Sequence, residues 1–206
     1  MNHIRWNNLI SNFGISKDNQ TYNALVNRYT ERGRFYHNAR HITEMLSIFD
    51  QHLHLVHQQH QVELAIWFHD AVYDISSSSN EQDSALLAEQ FLLKHGVSRQ
   101  VTKQVYQLIC STAHNTHLTD NDQMLLTDID LAILGADKDV FDRYEQNIRQ
   151  EYAEVDLHTY NTGRRHILTR LNHKASIYYT REFQKTYEIR ARYNLSRAIQ
   201  KLSTAE

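Results

Sequence analysis

The chain of 206 residues contains no proline and only five glycines. Proline interrupts helices because it lacks the backbone N–H, and glycine weakens them through its extra backbone freedom. A chain nearly free of both is expected to be helical along most of its length. About 41% of the residues are hydrophobic, which at this length is enough to bury a core. We therefore predict an all-α fold, with residues 1–206 forming a single helical domain.

Apolar residues recur at helical spacing from one end of the chain to the other. One such stripe contains Ile42, Met45, Leu46 and Phe49, and the last helix is predicted over residues 180–202. The predicted helix starts are Ser98 and Asp137, and the predicted ends are Gly96 and Gly135. Residues 51–61 hold four histidines in a poor apolar pattern, which favours a helix end and a solvated connection over a metal site.

Charge and cysteine content restrict the location and the partners. The net charge is −2 and no basic face stands out, so a nucleic-acid partner is not expected. Cys110 is the only cysteine, which excludes an intrachain disulfide and fits a reducing compartment. Residues 1–13 lack the apolar core of a signal peptide, and no apolar run approaches the roughly 20 residues of a membrane helix. We expect a soluble, cytoplasmic protein without a membrane partner.

Fourteen histidines are unusual, because histidine is the commonest metal ligand and proton carrier near neutral pH. His37 and His41 are four residues apart, which on a helix puts them on one face. Such a pair could share a metal, or one histidine could bind the metal while the other serves a substrate. Two surface histidines would show the same spacing.

His69 and Asp70 interrupt an apolar run that extends from Trp67 to Tyr73. Burying either side chain is costly unless it is paired or bound to a metal. The pair could bind a metal, or it could satisfy itself by hydrogen bonds at a helix end. His114 follows an apolar helix, where a histidine is more often a cap or a surface residue.

Asp128 and Asp130 lie within an apolar stretch that ends at Gly135. Two negative charges there need a counter-charge, which a metal cation would supply. Alternatively, Asp128 caps the N-terminus of its helix, as aspartate commonly does.

The order of these clusters is more specific than any one of them. His, then His-Asp, then His, then Asp, each on a different predicted helix, resembles the HD-domain superfamily of metal-dependent phosphohydrolases. The resemblance covers about Arg34 to Gly135, and residues 136–206 would form a C-terminal helical extension. The run from Tyr36 to His41 is similar to the Tyr-His-Asn-x-x-His signature of cyclic nucleotide phosphodiesterases, in which the first histidine donates a proton and the second binds metal. The chain also resembles a bacterial group of predicted HD-superfamily hydrolases, and the matching segments are His69–Tyr73, Asn80-Glu81, Asp128–Gly135 and Glu151-Tyr152.

The resemblance implies one divalent cation, with room for a second. Its ligands would be His41, His69, Asp70 and Asp130, with Asp128 as the alternative to Asp130. Asp130 lies between Ile129 and Leu131 and fits the family pattern better. Mixed imidazole and carboxylate ligands do not select among Mn, Fe, Co, Ni, Zn or Mg.

The resemblance also implies that His37 is a general acid, and His114 and Glu81 are further candidates for catalytic roles. His37 or His114 would protonate the leaving oxygen, and Glu81 would orient the attacking water. Arg40 could meet a phosphate, or it could simply be a solvated helix residue.

These residues lead us to expect a phosphohydrolase, either a phosphomonoesterase or a phosphodiesterase. Its substrate would be a nucleotide or another small phosphate ester, attacked by a metal-activated water. The alternatives are a non-catalytic HD domain that senses a nucleotide and a di-iron HD-fold oxygenase. The intact ligand set argues against the sensor, and two irons per chain would favour the oxygenase. The balanced charge disfavours a nuclease.

Overall fold

The computed structural model describes residues 1–114 and 118–204. Within these ranges the chain forms ten α-helices and two short 3-10 helices, and no strand, which confirms the all-α prediction. The α-helices are α1 (His3–Ser11), α2 (Asn19–Tyr29), α3 (Ala39–Gln51), α4 (Gln59–Phe68), α5 (Asn80–Lys94), α6 (Arg99–Ser111), α7 (Asn121–Asp130), α8 (Lys138–Glu151), α9 (Leu157–Asn172) and α10 (Arg181–Thr204). The 3-10 helices are Leu53–Leu55 and Leu131–Gly135.

The chain divides into two compact units, Met1–Ile129 and Asp130–Glu206. The boundary falls at the last residue of α7, so that nine of the ten residues of this helix belong to the first unit. The finer division into a metal-binding core of residues 34–135 and an extension of residues 136–206 stays a prediction.

Helix α4 forms the centre of the first unit, where it contacts α1, α3, α5 and α6. Every residue from Gln61 to Phe68 is buried, so this helix has no solvated face. Trp6 packs edge-on against Trp67, with ring centroids 5.3 Å apart, and Phe91 lies 5.6 Å from Phe68. Because the run Leu64–Phe68 is apolar and buried on every side, α4 carries its C-terminal residues into the interior.

In the second unit, α10 packs against α9 and against the 3-10 helix Leu131–Gly135. Gly135 lies directly against α10: a Cβ atom added to it would lie 2.6 Å from the Cβ of Tyr187. Asn194 fixes the same segment, because its Nδ2 donates to the carbonyls of Leu134 and Ala136, both at 2.9 Å. Gly135 therefore ends its helix where two backbones approach closely, a position that only glycine fits.

The predicted boundaries agree closely with the structure. Ser98 caps α6 by accepting from the backbone N–H of Val101, and Gly96 has a φ of 75° just after α5. Residues 51–61 contain the end of α3, the first 3-10 helix and the start of α4, as expected of a helix end and a connection. Helix α1 was not predicted as a separate element. None of the described helices combines the length and apolar character needed to span a bilayer.

Candidate metal centre

The C-terminal end of α4 is hydrogen-bonded throughout. The last carbonyls of a helix have no partner within it and must find one elsewhere. The carbonyls of Ala65 and Ile66 accept from the backbone N–H and from Nδ1 of His69, at 2.9 and 3.0 Å. The carbonyl of Trp67 accepts from the Tyr29 hydroxyl at 3.1 Å, and the carbonyl of Phe68 accepts from the Ala71 N–H at 2.9 Å. Burial raises the pKa of Tyr29 well above its ordinary value, so its hydroxyl keeps the hydrogen that it donates.

His69 directs one ring nitrogen to the backbone and the other to the candidate centre. Its Nδ1 lies 3.0 Å from the carbonyl oxygen of Ile66, which can only accept. Nδ1 therefore carries a hydrogen, and in the neutral ring the lone pair is on Nε2. Metal-binding histidines typically donate the hydrogen of their other ring nitrogen to a backbone carbonyl in this way, because the bond fixes the tautomer and the ring orientation.

His41, on α3, meets His69 through the corresponding nitrogen. The two Nε2 atoms are 3.3 Å apart, and the side chains are 3% and 1% exposed. The Asp70 Oδ2 atom lies 3.0 Å from Nε2 of His69 and 3.7 Å from Nε2 of His41. Two imidazole nitrogens and one carboxylate oxygen thus converge within the first unit.

The carboxylate of Asp70 is ionised although it is largely shielded from solvent. Burial by itself raises the pKa of Asp70, but the adjacent His69, together with His37 and His41, lowers it well below the ordinary value. In the structure this negative charge is balanced by the neighbouring histidines when they are protonated. A bound cation would play the same part beside neutral imidazoles.

Asp130 is the last residue of α7 and offers a fourth ligand. One carboxylate oxygen of Asp130 and one nitrogen each of His41 and His69 lie within 4.8 Å of one another, and this group could hold a metal ion. Asp128 is fully buried two residues earlier. The alternative role of Asp128 as an N-terminal cap is wrong, because α7 begins at Asn121.

His37 lies outside the helix that carries His41. Asn38 caps α3 by accepting from the backbone N–H of Arg40, so the helix begins at Ala39 and His37 belongs to the preceding turn. The expectation that His37 and His41 share a helix face is therefore wrong. Their ring centroids are nevertheless 6.2 Å apart, and His37 stacks on Tyr73 with centroids 4.3 Å apart.

Glu81, His114 and Arg40 complete the set of predicted site residues. Glu81 lies in the first turn of α5, where its charge contributes to the raised pKa of Cys110 after the larger effect of burial. His114 follows α6 and has a positive φ of 54°. Arg40 is exposed and pairs with Glu44 at 2.7 Å, which favours the solvated helix residue over the phosphate ligand.

Sequence reasoning missed several residues that hold the site in place. Arg34 bonds to the backbone of His37 and of Asp70, and Tyr29 caps α4. Tyr36 lies beside the ring of His41, with centroids 4.7 Å apart. No local pattern distinguishes Arg34 from Arg28 or Arg32, because the bonds that join it to the end of α4 go to the distant carbonyls of Asp70 and Ala71. The signal for Tyr36 was its adjacency to His37, whereas Tyr29 carries no such signal.

The donor set fits a divalent transition metal. Imidazole nitrogens suit Zn, Cu, Fe and Ni, and carboxylates extend the range to Mn and Mg. Comparisons with family models, with curated proteins and with solved structures find no match to this chain.

Proposed function

We propose that this protein is a metal-dependent phosphohydrolase of the HD-domain type, acting on a nucleotide or another small phosphate ester. His41, His69, Asp70 and Asp130 would hold one divalent cation. When bound, such a cation polarises a phosphoryl oxygen and makes water a better nucleophile near neutral pH.

One observation carries the proposal. The Nε2 atom of His69 lies 3.0 Å from a carboxylate oxygen of Asp70 and 3.3 Å from a second imidazole nitrogen, Nε2 of His41. All three atoms can donate electron pairs. A single proton can bridge only two of them, whereas a divalent cation binds all three. A neighbouring carboxylate, Asp130, adds negative charge that favours the cation further.

The remaining residues would handle protons and water. His37 is stacked on Tyr73, which leaves an imidazole in a fixed orientation near Asp70. A histidine held in this way suits a general acid that protonates the leaving oxygen. His114 is the second candidate for that step, and Glu81 is the candidate for orienting the attacking water.

The test is a hydrolysis screen of metal-free, tag-free protein with each divalent cation added in turn. The substrates are p-nitrophenyl phosphate, bis-p-nitrophenyl phosphate and a panel of nucleotides. We expect metal-dependent release of phosphate or nitrophenol by the wild type. We expect at least a hundredfold loss in Asp70→Asn, because the amide keeps the shape of the side chain but removes its charge. The matched control is His57→Gln with His60→Gln, which changes two exposed histidines away from the group.

Each alternative function gives a different result. Tight nucleotide binding without hydrolysis under any cation would contradict the enzyme and favour the sensor. Two tightly bound irons per chain with no hydrolytic activity would favour the oxygenase. Full activity in Asp70→Asn would show that the assigned ligands are wrong.

A further inference from the structure

One buried arginine joins the turn before α3 to the end of α4. Arg34 lies outside both helices, and its side chain is 4% exposed. Its Nη1 donates to the carbonyls of Asp70 at 2.6 Å and His37 at 3.2 Å, and its Nη2 donates to the carbonyl of Ala71 at 3.1 Å. A single guanidinium therefore holds the backbone of both segments that carry candidate site residues.

The surroundings of Arg34 fix the guanidinium in turn. The Nε atom donates to Glu31 at 3.1 Å, and the rings of Tyr29 and Tyr73 each lie 5.4 Å from Cζ. Tyr73 also stacks on the imidazole of His37, with an angle of 27° between the rings. Arg34 is thus bonded to the backbone of His37 and packed against the ring that holds the His37 side chain.

We propose that Arg34 is a positioning residue that fixes the backbone of Asp70 and His37 and so determines where the Asp70 carboxylate meets His41 and His69. Asp70 lies beyond the last helical residue of α4, where the helix no longer holds the backbone. The planar guanidinium presents its N–H groups in a rigid fork that can bond to several carbonyls at once. A lysine would supply the same charge at one point only. The part of this inference that is tested by metal binding rests on the proposed function.

Arg28 provides a matched comparison within the same cluster. Its Nη1 donates to the carbonyl of Ala71 at 3.4 Å, so it shares one acceptor with Arg34. The structure gives it no bond to Asp70 or His37 among the described residues. A general role in capping α4 would make the two arginines similar, whereas positioning of the site belongs to Arg34.

The first measurement is a titration of Co²⁺ into metal-free, tag-free wild type, Arg34→Lys, Arg34→Gln and Arg28→Gln. Urea unfolding of the metal-free proteins establishes the conditions in which each is folded. We expect both Arg34 variants to bind Co²⁺ about tenfold or more weakly, in the range typical of changes to groups that orient metal ligands. We expect Arg28→Gln to keep the wild-type affinity.

The second measurement needs no metal. The ring of Tyr73 shields the ring protons of His37, which shifts their NMR signals upfield; His37→Gln assigns these signals. We expect the upfield shift to disappear in Arg34→Lys and to persist in Arg28→Gln. The NMR measurement separates the positioning role of Arg34 from the proposed metal centre. A wild type that binds no Co²⁺ would contradict the metal centre, and the His37 shift would still test the role of Arg34.

Unchanged Co²⁺ affinity and an unchanged His37 shift in folded Arg34→Lys would overturn the inference. If neither Arg34 variant folds, Glu31→Gln tests the inference instead. Glu31 is bonded to the Nε of Arg34, and because its side chain is half-exposed the substitution should leave the protein folded. A smaller weakening of Co²⁺ binding in Glu31→Gln supports the positioning role, and wild-type affinity overturns it.

Discussion

At the scale of the residue, His69 shows how backbone structure prepares side-chain chemistry. Its N–H and its Nδ1 both bond to carbonyls of the last turn of α4, so its main chain and its ring are fixed by the same helix end. Nε2 is left for His41 and Asp70. A ring fixed in this way loses little further freedom when a cation binds, which favours binding.

Asp18, in contrast to His69, stabilises the fold and has no part in the candidate site. It caps α2: Oδ1 accepts from the Thr21 N–H at 2.7 Å, and Oδ2 lies 2.9 Å from the His95 Nε2. We expect Asp18→Ala to lower the free energy of unfolding by about 1–2 kcal/mol, measured by urea titration near neutral pH. Asp120→Ala is the control, because Asp120 accepts from Gln123 in an exposed position, and we expect a smaller loss.

The contribution of Asp18 also depends on pH in a defined direction. Burial raises its pKa, but the bonds from Thr21 and His95 outweigh burial and lower it. A folded-state pKa below the ordinary value of about 4 stabilises the protein above that pH, and this stabilisation is lost as the pH falls through the folded-state pKa. The gap between wild type and Asp18→Ala should therefore narrow in acid. A gap that widened in acid would contradict the assignment.

At the scale of the element, two glycines of the second unit show opposite requirements. Gly135 lies against α10, where a methyl group would meet Tyr187 at 2.6 Å, and Gly163 lies within α9 with nothing within 4 Å of an added Cβ. We expect Gly135→Ala to cost about 1–3 kcal/mol from overpacking. We expect Gly163→Ala to gain about 0.5–1 kcal/mol, because alanine favours the helix. Thermal or urea unfolding measures both, and equal effects would contradict this packing.

The helices were largely predictable from the sequence, whereas the geometry of the site was only partly so. Apolar periodicity and the lack of proline located most helices from α2 onwards, and Gly96 marked the end of α5. The expectation that His37 and His41 share a helix face was wrong, because Asn38 caps α3 and the helix begins at Ala39, two residues after His37. Asparagine is a favoured N-terminal cap, so this helix start could have been predicted from the sequence.

The contacts of the site depend on tertiary structure that no local pattern encodes. The bond from Arg34 to Asp70 joins residues 36 positions apart, and the bond from Tyr29 to Trp67 joins residues 38 apart. Periodicity identifies which face of a helix is buried, but it does not identify the partner across the core. The meeting of His41 with His69 could be inferred only from the order of the motifs and the family that they resemble.

At the scale of the whole molecule, the fourteen histidines separate by environment. Among the residues that the structure describes, His3, His54, His57, His60, His158, His166 and His173 are exposed. His52 is also buried, with its Nδ1 2.7 Å from the carbonyl oxygen of Ile48, and it lies outside the group formed by His41, His69 and Asp130. Only His41 and His69 of the described histidines are buried with their Nε2 atoms facing each other.

The most direct test of this account is therefore a long-range ¹H–¹⁵N NMR spectrum of all histidine rings during a titration of tag-free protein with Zn²⁺. The proposed metal centre predicts that the Nε2 signals of His41 and His69 move to the range of metal-bound imidazole and saturate near one equivalent, while those of the exposed histidines stay in place. Unchanged His41 and His69 signals, or an equal response from the exposed histidines, would contradict the metal centre on which the proposed function depends.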